Sequence, residues 1–396
     1  MFTSSPTTII SRTTQKQFYK TTFKSWLTSS PCLLLDFRPW SMHLRRHIIP
    51  STCIPYTELE QHWYELPPKQ IPFAVLEPTD AQGVTKKMLI DNGWSVPWIF
   101  VIQEEKDFIN GNGGGDEKKR DKGEEEILWS VACEFDVLEE IDTETISNLE
   151  SFSSPFIKRW TLFQPNPFLK ENIKTIEQTL LSDFPPSFAA PPFDSSCSLS
   201  NPVSLRTLHC LDIGCGSGRD TVWLCSSRKT SAHHWHVTAL DNWPSALART
   251  KKLATGLGVI QNIDIVCAKV MPDGTIKKIR NSGSSHKISD HKNNHDGNKE
   301  NNYQKSYDLL LTLRFLSREF FPTIPSHIKP GGFLMISTFV NDGTHEFSQP
   351  KSPAHRLEPG ELATVFSKDF EILVDRIEVI SDGRPVNSFL ARRKKS

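Results

Sequence analysis

The chain has 396 residues, which is long enough for two domains with separate hydrophobic cores. Lys plus Arg and Asp plus Glu both number 46, so the formal net charge is zero, and no overall field would attract nucleic acid or an anionic membrane. No apolar run approaches the roughly 18 residues of a membrane helix. The eight cysteines form no CxxC pair, which is typical of reduced thiols and indicates neither a disulfide framework nor a zinc site.

The N-terminal segment is basic and contains no acidic residue before Asp36. This composition, rich in Ser and Thr, is typical of a mitochondrial transit segment. The stretch QKQFYKTTFKSWL is also typical of the first helix of a domain, and we favour that interpretation. We therefore expect a cytoplasmic protein, with a mitochondrial location as the alternative.

The N-terminal half alternates short apolar strands with helices. This alternation predicts a parallel sheet covered on both faces. The predicted strands and helices are CLLLDF (32–37), YTELEQHWYEL (56–66), IPFAVLE (71–77), TKKMLIDNG (85–93) and VPWIFVIQ (96–103).

Three polar segments interrupt this pattern. Residues 107–126, which contain NGNGGGDEKKRDKGEEE, and residues 279–306 cannot bury enough apolar surface to order themselves, so we interpret both as solvated insertions. Residues 185–204 are rich in Pro and Ser and indicate a linker or a meandering loop.

The C-terminal half repeats the alternation with longer strands. The pattern predicts five parallel strands followed by an antiparallel pair, and therefore a seven-stranded sheet. The elements are strands TLHCLDIG (207–214), HVTALD (236–241), NIDIVCAK (262–269), YDLLLTLRF (307–315) and GFLMISTFV (332–340), helices PSALARTKKLATG (244–256) and PGELATVFS (359–367), and strands EILVDRIEVI and PVNSFLARR joined by SDGR.

A glycine turn, LDIGCGSGRD, follows the first of these strands at 211–220. A P-loop is excluded because no Lys-Ser/Thr pair follows Gly218. The dinucleotide fingerprint fits poorly because Arg219 stands where its third glycine would lie. The remaining pattern is an acid, Asp212, followed by glycines on alternate positions, and it resembles the first motif of class I S-adenosylmethionine-dependent methyltransferases.

Two further features carry this resemblance. Asp241 ends the next strand, where a carboxylate can accept both hydroxyls of a ribose or, alternatively, cap the following helix. YDLLLTLRF and IKPGGFLMIST match the family's fourth strand and the turn before its fifth, whereas AKV at 268–270 departs from the acid that many relatives place near adenine. The resemblance implies an α/β, doubly wound Rossmann-like domain over 156–396 that binds S-adenosylmethionine through Asp212, Gly214, Cys215, Gly216, Gly218, Asp241, Asn242 and Leu313.

The carboxyl ends of the strands place the methyl acceptor near Arg314, Phe315, Thr338, Phe339 and the loop 341–360. Arg314 either clamps an anionic group or forms a salt bridge with a neighbouring acid. The loop is either a functional lid or disordered.

No catalytic residue can be assigned, because lone loop histidines such as His345 and His355 are more often bystanders. We also predict no metal site, since the run HHWH at 233–236 forms a poor cage.

The run LEPGEL and the ending LARRK resemble the TehB-like group of small-molecule methyltransferases. We therefore expect a small-molecule acceptor and no membrane partner. The chain lacks an NPPY-type motif and a basic face beyond RRKK, so nucleic acid is not favoured. The alternatives are a non-catalytic binding or scaffold protein and a methyltransferase acting on nucleic acid or protein.

The N-terminal half resembles the opening of rhodanese-like domains, in the stretch LLLDFRPWSMHLRRHIIPSTCIPYTELE. The resemblance implies such a domain over 20–145. Rhodaneses carry sulfur on a cysteine after the next strand, where this chain has Glu77 and Pro78, so we expect a catalytically inactive domain with a role in packing, substrate presentation or binding a protein partner. The matching residues are Asp36, Arg38, His47, Ile48, Pro50, Ile54 and Pro55.

Overall fold

The structure is a computed structural model that describes residues 12–81, 83–102, 123–141, 160–183, 205–230, 232–279 and 306–395. The chain divides into two compact units, which we call the N-terminal unit (1–164) and the C-terminal unit (165–396). The whole predicted linker at 185–204 lies outside the described residues, and so do residues 280–305 of the second predicted insertion. No helix in the described part of the chain is both long and apolar enough to cross a membrane.

The N-terminal unit contains a four-stranded parallel sheet in the order β3-β1-β4-β5. A short antiparallel pair, β2 and β6, lies outside this sheet. The strands are β1 (Leu34–Asp36), β2 (Arg46–Ile48), β3 (Thr52–Cys53), β4 (Ala74–Pro78), β5 (Trp98–Ile102) and β6 (Leu138–Glu140). The helices are Arg12–Leu27, Trp40–Arg45, Val84–Asp91 and Gly123–Glu134, with a 3-10 helix at Tyr56–Glu65.

Both faces of this sheet are buried, as the sequence predicts. Successive side chains of a strand point to opposite faces, and Leu34 and Leu35 accordingly join two different apolar clusters. The first cluster contains Phe23 and Leu128 from the two long helices, and the second contains Leu89 from Val84–Asp91. The prediction of a parallel sheet covered on both faces is therefore confirmed.

Helix Gly123–Glu134 begins inside the segment predicted as a solvated insertion. The sequence at this helix start, GEEE, is charged and is therefore assigned to the insertion by its composition, although glutamate has a high helix propensity. This charged composition is the reason why the sequence did not predict the start of the helix at Gly123. Residues 107–122 of the predicted insertion lie outside the described residues.

The C-terminal unit contains one sheet with eight strands in the described residues, in the order β10-β9-β8-β7-β11-β12-β14-β13. Five central strands are parallel, and β13 and β14 form the predicted antiparallel pair. The bounds are β7 (Arg206–Ile213), β8 (His233–Asp241), β9 (Ile263–Val270), β10 (Ile276–Lys278), β11 (Tyr307–Leu313), β12 (Ile328–Phe339), β13 (Phe370–Val379) and β14 (Pro385–Arg393).

The sheet has one strand more in the described residues than the seven predicted from the sequence, and the additional strand is β10. β10 pairs with β9 in antiparallel register, with Ile276 opposite Val270. The turn between them contains Asp273 and Gly274, and Gly274 has a φ of 78°. An Asp-Gly pair is a strong hairpin signal, which the sequence analysis overlooked because the second strand is only three residues long.

The sheet packs with helices around a hydrophobic core to which adjacent strands contribute. Leu211, Leu310 and Leu334 of three adjacent strands are almost fully buried in one cluster. Helix Pro244–Gly256 has the bounds predicted from its N-terminal proline and C-terminal glycine. The remaining helices are Pro167–Asp183, Arg219–Ser227, Ile324–His327 and Glu361–Phe366.

Candidate functional site

The centre of the eight-stranded sheet is a topological switch point. From β7 the chain continues to β8 and β9 on one side, and it later returns to β11 and β12 on the other. Ligands of open α/β sheets bind beyond the carboxyl ends of the strands where the strand order reverses in this way. The glycine turn follows β7 at this point.

The three glycines of this turn all adopt left-handed backbone conformations, with φ of 74°, 57° and 74° for Gly214, Gly216 and Gly218. A Cβ on Gly214 would lie 2.5 Å from the Phe315 ring, and one on Gly218 would lie 2.4 Å from Thr250. A Cβ on Gly216 would meet no protein atom within 4 Å. The outer glycines therefore allow close packing, whereas Gly216 borders open space.

Asp241, at the end of β8, is connected to this turn. Its Oδ2 accepts a hydrogen bond from the Gly216 backbone N–H at 2.9 Å, and its Oδ1 accepts one from the Trp243 N–H at 2.8 Å. The second bond belongs to the alternative role of Asp241 at the start of the following helix. A carboxylate has about four acceptor positions, so two backbone bonds leave capacity for two hydroxyl donors.

A cavity of about 410 Å³ lies beside Asp241. Its volume is within the range of about 300–1,000 Å³ that is usual for small-ligand sites. The wall is mostly apolar, and its polar residues are Asp241, Asn242, Lys269, Ser317 and Glu319. The lining comes from Leu240, Asp241, Asn242, Ala268, Lys269, Val270, Met271, Pro272, Phe315, Leu316, Ser317 and Glu319.

These residues fit a nucleoside with an attached amino-acid chain. Asp241 offers acceptors for ribose hydroxyls, and the apolar wall from Ala268 to Met271 offers a surface for a purine ring. Residues 268–270 supply no carboxylate to this wall, as the sequence indicated. Glu319 brings a carboxylate from the segment after β11, and the sequence analysis did not identify it, nor Met271, Pro272, Leu316 or Ser317. Their position after the carboxyl ends of β9 and β11 was the available signal.

Asp212 lies beneath the turn and does not line the cavity. Its side chain is 3% exposed, and its Oδ2 accepts a hydrogen bond of 2.5 Å from the Thr221 hydroxyl. Burial and the nearby charges of Asp220 and Asp241 together raise the pKa of Asp212 to about 7, although the Thr221 hydrogen bond opposes this shift. Its role in receiving an ammonium group stays a prediction.

The other predicted cofactor residues occupy different positions around the turn. Asn242 lines the cavity, and Leu313 is buried at the end of β11. Cys215 is half-buried, and its N–H donates to the Leu240 carbonyl at 3.1 Å. Burial raises the pKa of the Cys215 thiol, so the thiol is neutral at physiological pH.

The predicted acceptor side is built around Phe339 at the end of β12. The guanidinium carbon of Arg314 lies 5.6 Å from the centre of this ring, and that of Arg384 lies 4.3 Å from it. Thr338 is 1% exposed. Arg314 forms no salt bridge with any carboxylate in the described ranges. The alternative role predicted for it, a salt bridge with a neighbouring acid, is therefore not seen among these residues.

The loop 341–360 is ordered against the end of β12. The Leu357 N–H donates to the Phe339 carbonyl, and the Asn341 N–H donates to the Leu357 carbonyl, each at 2.8 Å. Arg318 donates to the carbonyls of Ala354 and Arg356. These hydrogen bonds hold the loop against the end of β12, which favours an ordered loop over a disordered one. His345 packs its ring against Phe347 at 4.7 Å, and His355 ends a short 3-10 turn.

The N-terminal unit has a carboxylate at the position where the resemblance places a cysteine. Glu77, on β4, is fully buried. Its carboxylate accepts hydrogen bonds from the N–H groups of Gly83 at 2.9 Å and Lys86 at 2.7 Å, and from the Thr85 hydroxyl. The loop after β4 is thus closed around a side chain of the chain itself.

A second buried network surrounds Asp36 at the end of β1. Burial alone would raise the pKa of Asp36, but the Arg38 charge and hydrogen bonds from His43 and Arg38 hold it well below its usual range. Cys53 is buried, and its thiol donates to the Arg38 carbonyl at 3.3 Å. Burial raises the pKa of Cys32 to about 11, so this thiol is a poor nucleophile at neutral pH.

Comparison with known proteins is consistent with the geometry of the C-terminal unit. Residues 211–291 match the family described as "Methyltransferase domain". The Schizosaccharomyces pombe protein described as "Uncharacterized protein UNK4.09" is 29% identical over 379 residues, which is 91% of this chain and 93% of that protein.

One similar solved structure is a SAM-dependent methyltransferase from Methanosarcina mazei, which is 19% identical in sequence. The match covers 48% of this chain and 93% of that chain, with a TM-score of 0.32. Another is the N-methyltransferase NodS from Bradyrhizobium japonicum, with 13% identity, 58% and 98% covered, and a TM-score of 0.33. The family match, the strand order and the glycine turn with Asp241 support a class I methyltransferase domain with S-adenosylmethionine as its cofactor.

Proposed function

We propose that this protein is an S-adenosylmethionine-dependent methyltransferase that acts on a small molecule. The observation that carries the proposal is the Asp241 carboxylate, which is bonded to the Gly216 N–H beside a largely apolar cavity. The loop 341–360, which is hydrogen-bonded to the end of β12, is proposed to border the acceptor. A formal net charge of zero gives no support to a nucleic-acid substrate.

Each part of the site has a binding role in this proposal. Asp241 accepts hydrogen bonds from the ribose hydroxyls, and the cavity wall from Ala268 to Met271 contacts the adenine. Gly216 leaves its backbone accessible to the amino-acid part, because no side chain fills the space beside it.

The bound cofactor would supply an electrophilic methyl group on its sulfonium. The protein would contribute alignment of the acceptor with that group and exclusion of water, and the Phe339 ring at the end of β12 is an apolar group placed for this. We assign no general base. Methyl transfer to a soft nucleophile requires little beyond alignment and desolvation.

The N-terminal unit is proposed to be a rhodanese-like domain without sulfur-transfer activity, available for packing, substrate presentation or a protein partner. Its support is the closed loop around Glu77, whose carboxylate takes the donors that would otherwise face a bound anion. A carboxylate cannot carry sulfane sulfur. We expect no thiosulfate sulfurtransferase activity. Activity that survives replacement of both Cys32 and Cys53 by serine would overturn the proposal.

The acceptor class can be tested with a methyl-labelled cofactor. The full-length protein is incubated with three fractions of a cell extract: small molecules, nucleic acid and protein. We expect label in the small-molecule fraction and none there with the Asp241→Ala variant. Label found only in nucleic acid or only in protein would contradict the small-molecule proposal, although it would leave the methyltransferase assignment intact.

A further inference from the structure

Arg314 adopts a backbone conformation that is unusual for its residue type. Its φ is 62°, and it shares a positive φ with only one other non-glycine residue, Asp136, among the described parts of the chain. The left-handed region costs a residue with a Cβ about 1–2 kcal/mol. The Arg314 N–H donates to the Ser337 carbonyl at 2.7 Å, which fixes the chain at the end of β11. A glycine would adopt this conformation without strain. Strained residues with a side chain cluster at functional sites, so Arg314 is a candidate for a binding role.

The position adjoins the cofactor cavity. Phe315, the next residue, lines that cavity and lies against Gly214 of the glycine turn. The Arg314 guanidinium lies over the Phe339 ring at the end of β12. Arg314 is thus at the carboxyl edge of the two strands that border the predicted acceptor side.

The charges around Arg314 do not neutralise it. Arg384 donates two hydrogen bonds to Asp382, so that acid already has a cationic partner. Asp220 accepts a hydrogen bond from the Asn166 N–H, and burial raises its pKa. Within the described residues, neither Arg314 nor Arg219 forms an ion pair, and the side chains of both are exposed.

Desolvation by the surrounding protein and the neighbouring charges of Arg384 and Arg219 lower the pKa of Arg314, whereas Asp382 and Asp220 oppose this shift. Three arginines and two carboxylates therefore meet at this edge of the sheet, and Asp382 has the largest effect of the four neighbouring charges on Arg314. Repulsion among the three arginines is thus only partly compensated. A bound anion would relieve that repulsion. The guanidinium presents paired N–H donors that match the geometry of a carboxylate or a phosphate.

We propose that the methyl acceptor carries an oxyanion, a carboxylate or a phosphate, and that Arg314 binds it beside the Phe339 ring. This inference rests on the proposed methyltransferase function, since it names the chemical class of the acceptor for that site. Arg314 would position the acceptor and would take no part in proton transfer.

The test uses inorganic phosphate and acetate as separate probes of the full-length protein, with sodium chloride at equal ionic strength as the reference. The thermal midpoint is followed against anion concentration, in the absence and in the presence of saturating S-adenosylhomocysteine. The variants are Arg314→Gly, which suits the positive φ and should fold, and the control Arg376→Ala, which removes an exposed arginine paired with Glu171. The dissociation constant for S-adenosylhomocysteine is measured for each variant.

We expect at least one anion to raise the midpoint of the unmodified protein, and Arg314→Gly to weaken that anion's binding at least tenfold. Arg376→Ala should respond like the unmodified protein, and all variants should bind S-adenosylhomocysteine within twofold of each other. Phosphate alone, or acetate alone, would identify the class of oxyanion. An absent response to both anions, or an equal response in Arg314→Gly, would overturn the inference. Failure of S-adenosylhomocysteine to bind would instead count against the proposed function, because the anion titrations without it are read independently.

Discussion

The two units use a carboxylate at a strand end in opposite ways. Glu77 in the N-terminal unit is fully buried and accepts hydrogen bonds from three groups of the loop and helix that follow. Asp241 in the C-terminal unit accepts two backbone hydrogen bonds and still borders a cavity of about 410 Å³. Both carboxylates lie near a turn that contains glycine and leads into a helix.

The difference indicates what makes such a strand end available to a ligand. The donors around Glu77 are satisfied by a side chain, and no acceptor capacity is directed at open space. Asp241 retains lone pairs beside an accessible apolar wall. The carboxyl edge of a parallel sheet is therefore not a binding site by topology alone, and the following predictions test which of the two strand ends is open.

Replacing Asp241 with alanine should have the largest effect. Two charge-assisted hydrogen bonds to the ribose would be lost, and we expect the cofactor dissociation constant to rise about 100-fold, or about 2.7 kcal/mol. Isothermal titration calorimetry with S-adenosylhomocysteine measures this change. The control is Asp264→Ala, which removes a half-exposed carboxylate paired with His236 on the neighbouring strand and should leave binding unchanged. Equal losses in the two variants would contradict the role of Asp241.

Replacing Glu77 with alanine should destabilise the N-terminal unit without affecting the cofactor. Three donors would lose their acceptor, and we expect a loss of about 2 kcal/mol in the free energy of unfolding, measured by urea denaturation. Glu60→Ala, which changes an exposed glutamate in the 3-10 helix of the same unit, should alter stability by less than about 0.5 kcal/mol. A Glu77→Ala variant as stable as Glu60→Ala would show that the loop does not depend on this carboxylate.

The pair Gly216→Ala and Gly383→Ala separates backbone strain from ligand contact. Both glycines have positive φ, and an added Cβ meets no protein atom within 4 Å at either position. Each substitution should therefore cost about 1 kcal/mol of stability. Only Gly216→Ala should weaken cofactor binding, by about tenfold, because its Cβ would point into the space beside Asp241. Comparable cofactor affinities in the two variants would place the ligand elsewhere.

The raised pKa of Asp212 should make the free energy of unfolding depend on pH. Its pKa in the folded protein is about 7, against about 4 in an unfolded chain, because burial disfavours its charged form. The folded protein therefore holds an extra proton between pH 4 and pH 7. Within that window, the stability contributed by this group falls by about 1.4 kcal/mol for each unit of rising pH, and Asp212→Asn should lack this slope.

Cofactor binding should show the opposite trend if the ammonium group binds ionised Asp212. Protonation of the carboxyl below pH 7 then competes with the cofactor, and its affinity should be about fivefold weaker at pH 6 than at pH 7. The same titration in Asp212→Asn should give equal affinities at both pH values. A slope that persists in this variant would assign the proton to another group.

Local patterns were sufficient to predict most of the fold. Apolar runs located the five parallel strands, and Pro244 and Gly256 marked the ends of a helix correctly. The fourth strand ends at Leu313, two residues before its predicted end, because Arg314 turns into the left-handed region. That conformation could not be predicted, since arginine has no preference for it.

The position of the glycine turn could be predicted from the sequence, whereas the burial of the side chains around it could not. The glycine spacing and Asp241 identified the turn and the adjacent strand end, because both signals are local. The burial of Asp212 and the three bonds to Glu77 depend on how the segment after each strand folds back over the strand end, which the spacing of residue types does not reveal.

Calorimetric titration of the full-length protein with S-adenosylmethionine is the decisive experiment. We expect saturable binding at one site, a gain in stability of about 2.7 kcal/mol at a hundredfold excess over the dissociation constant, and loss of both in Asp241→Ala. No binding to the unmodified protein, or equal binding to Asp241→Ala, would show that the cofactor does not bind at Asp241.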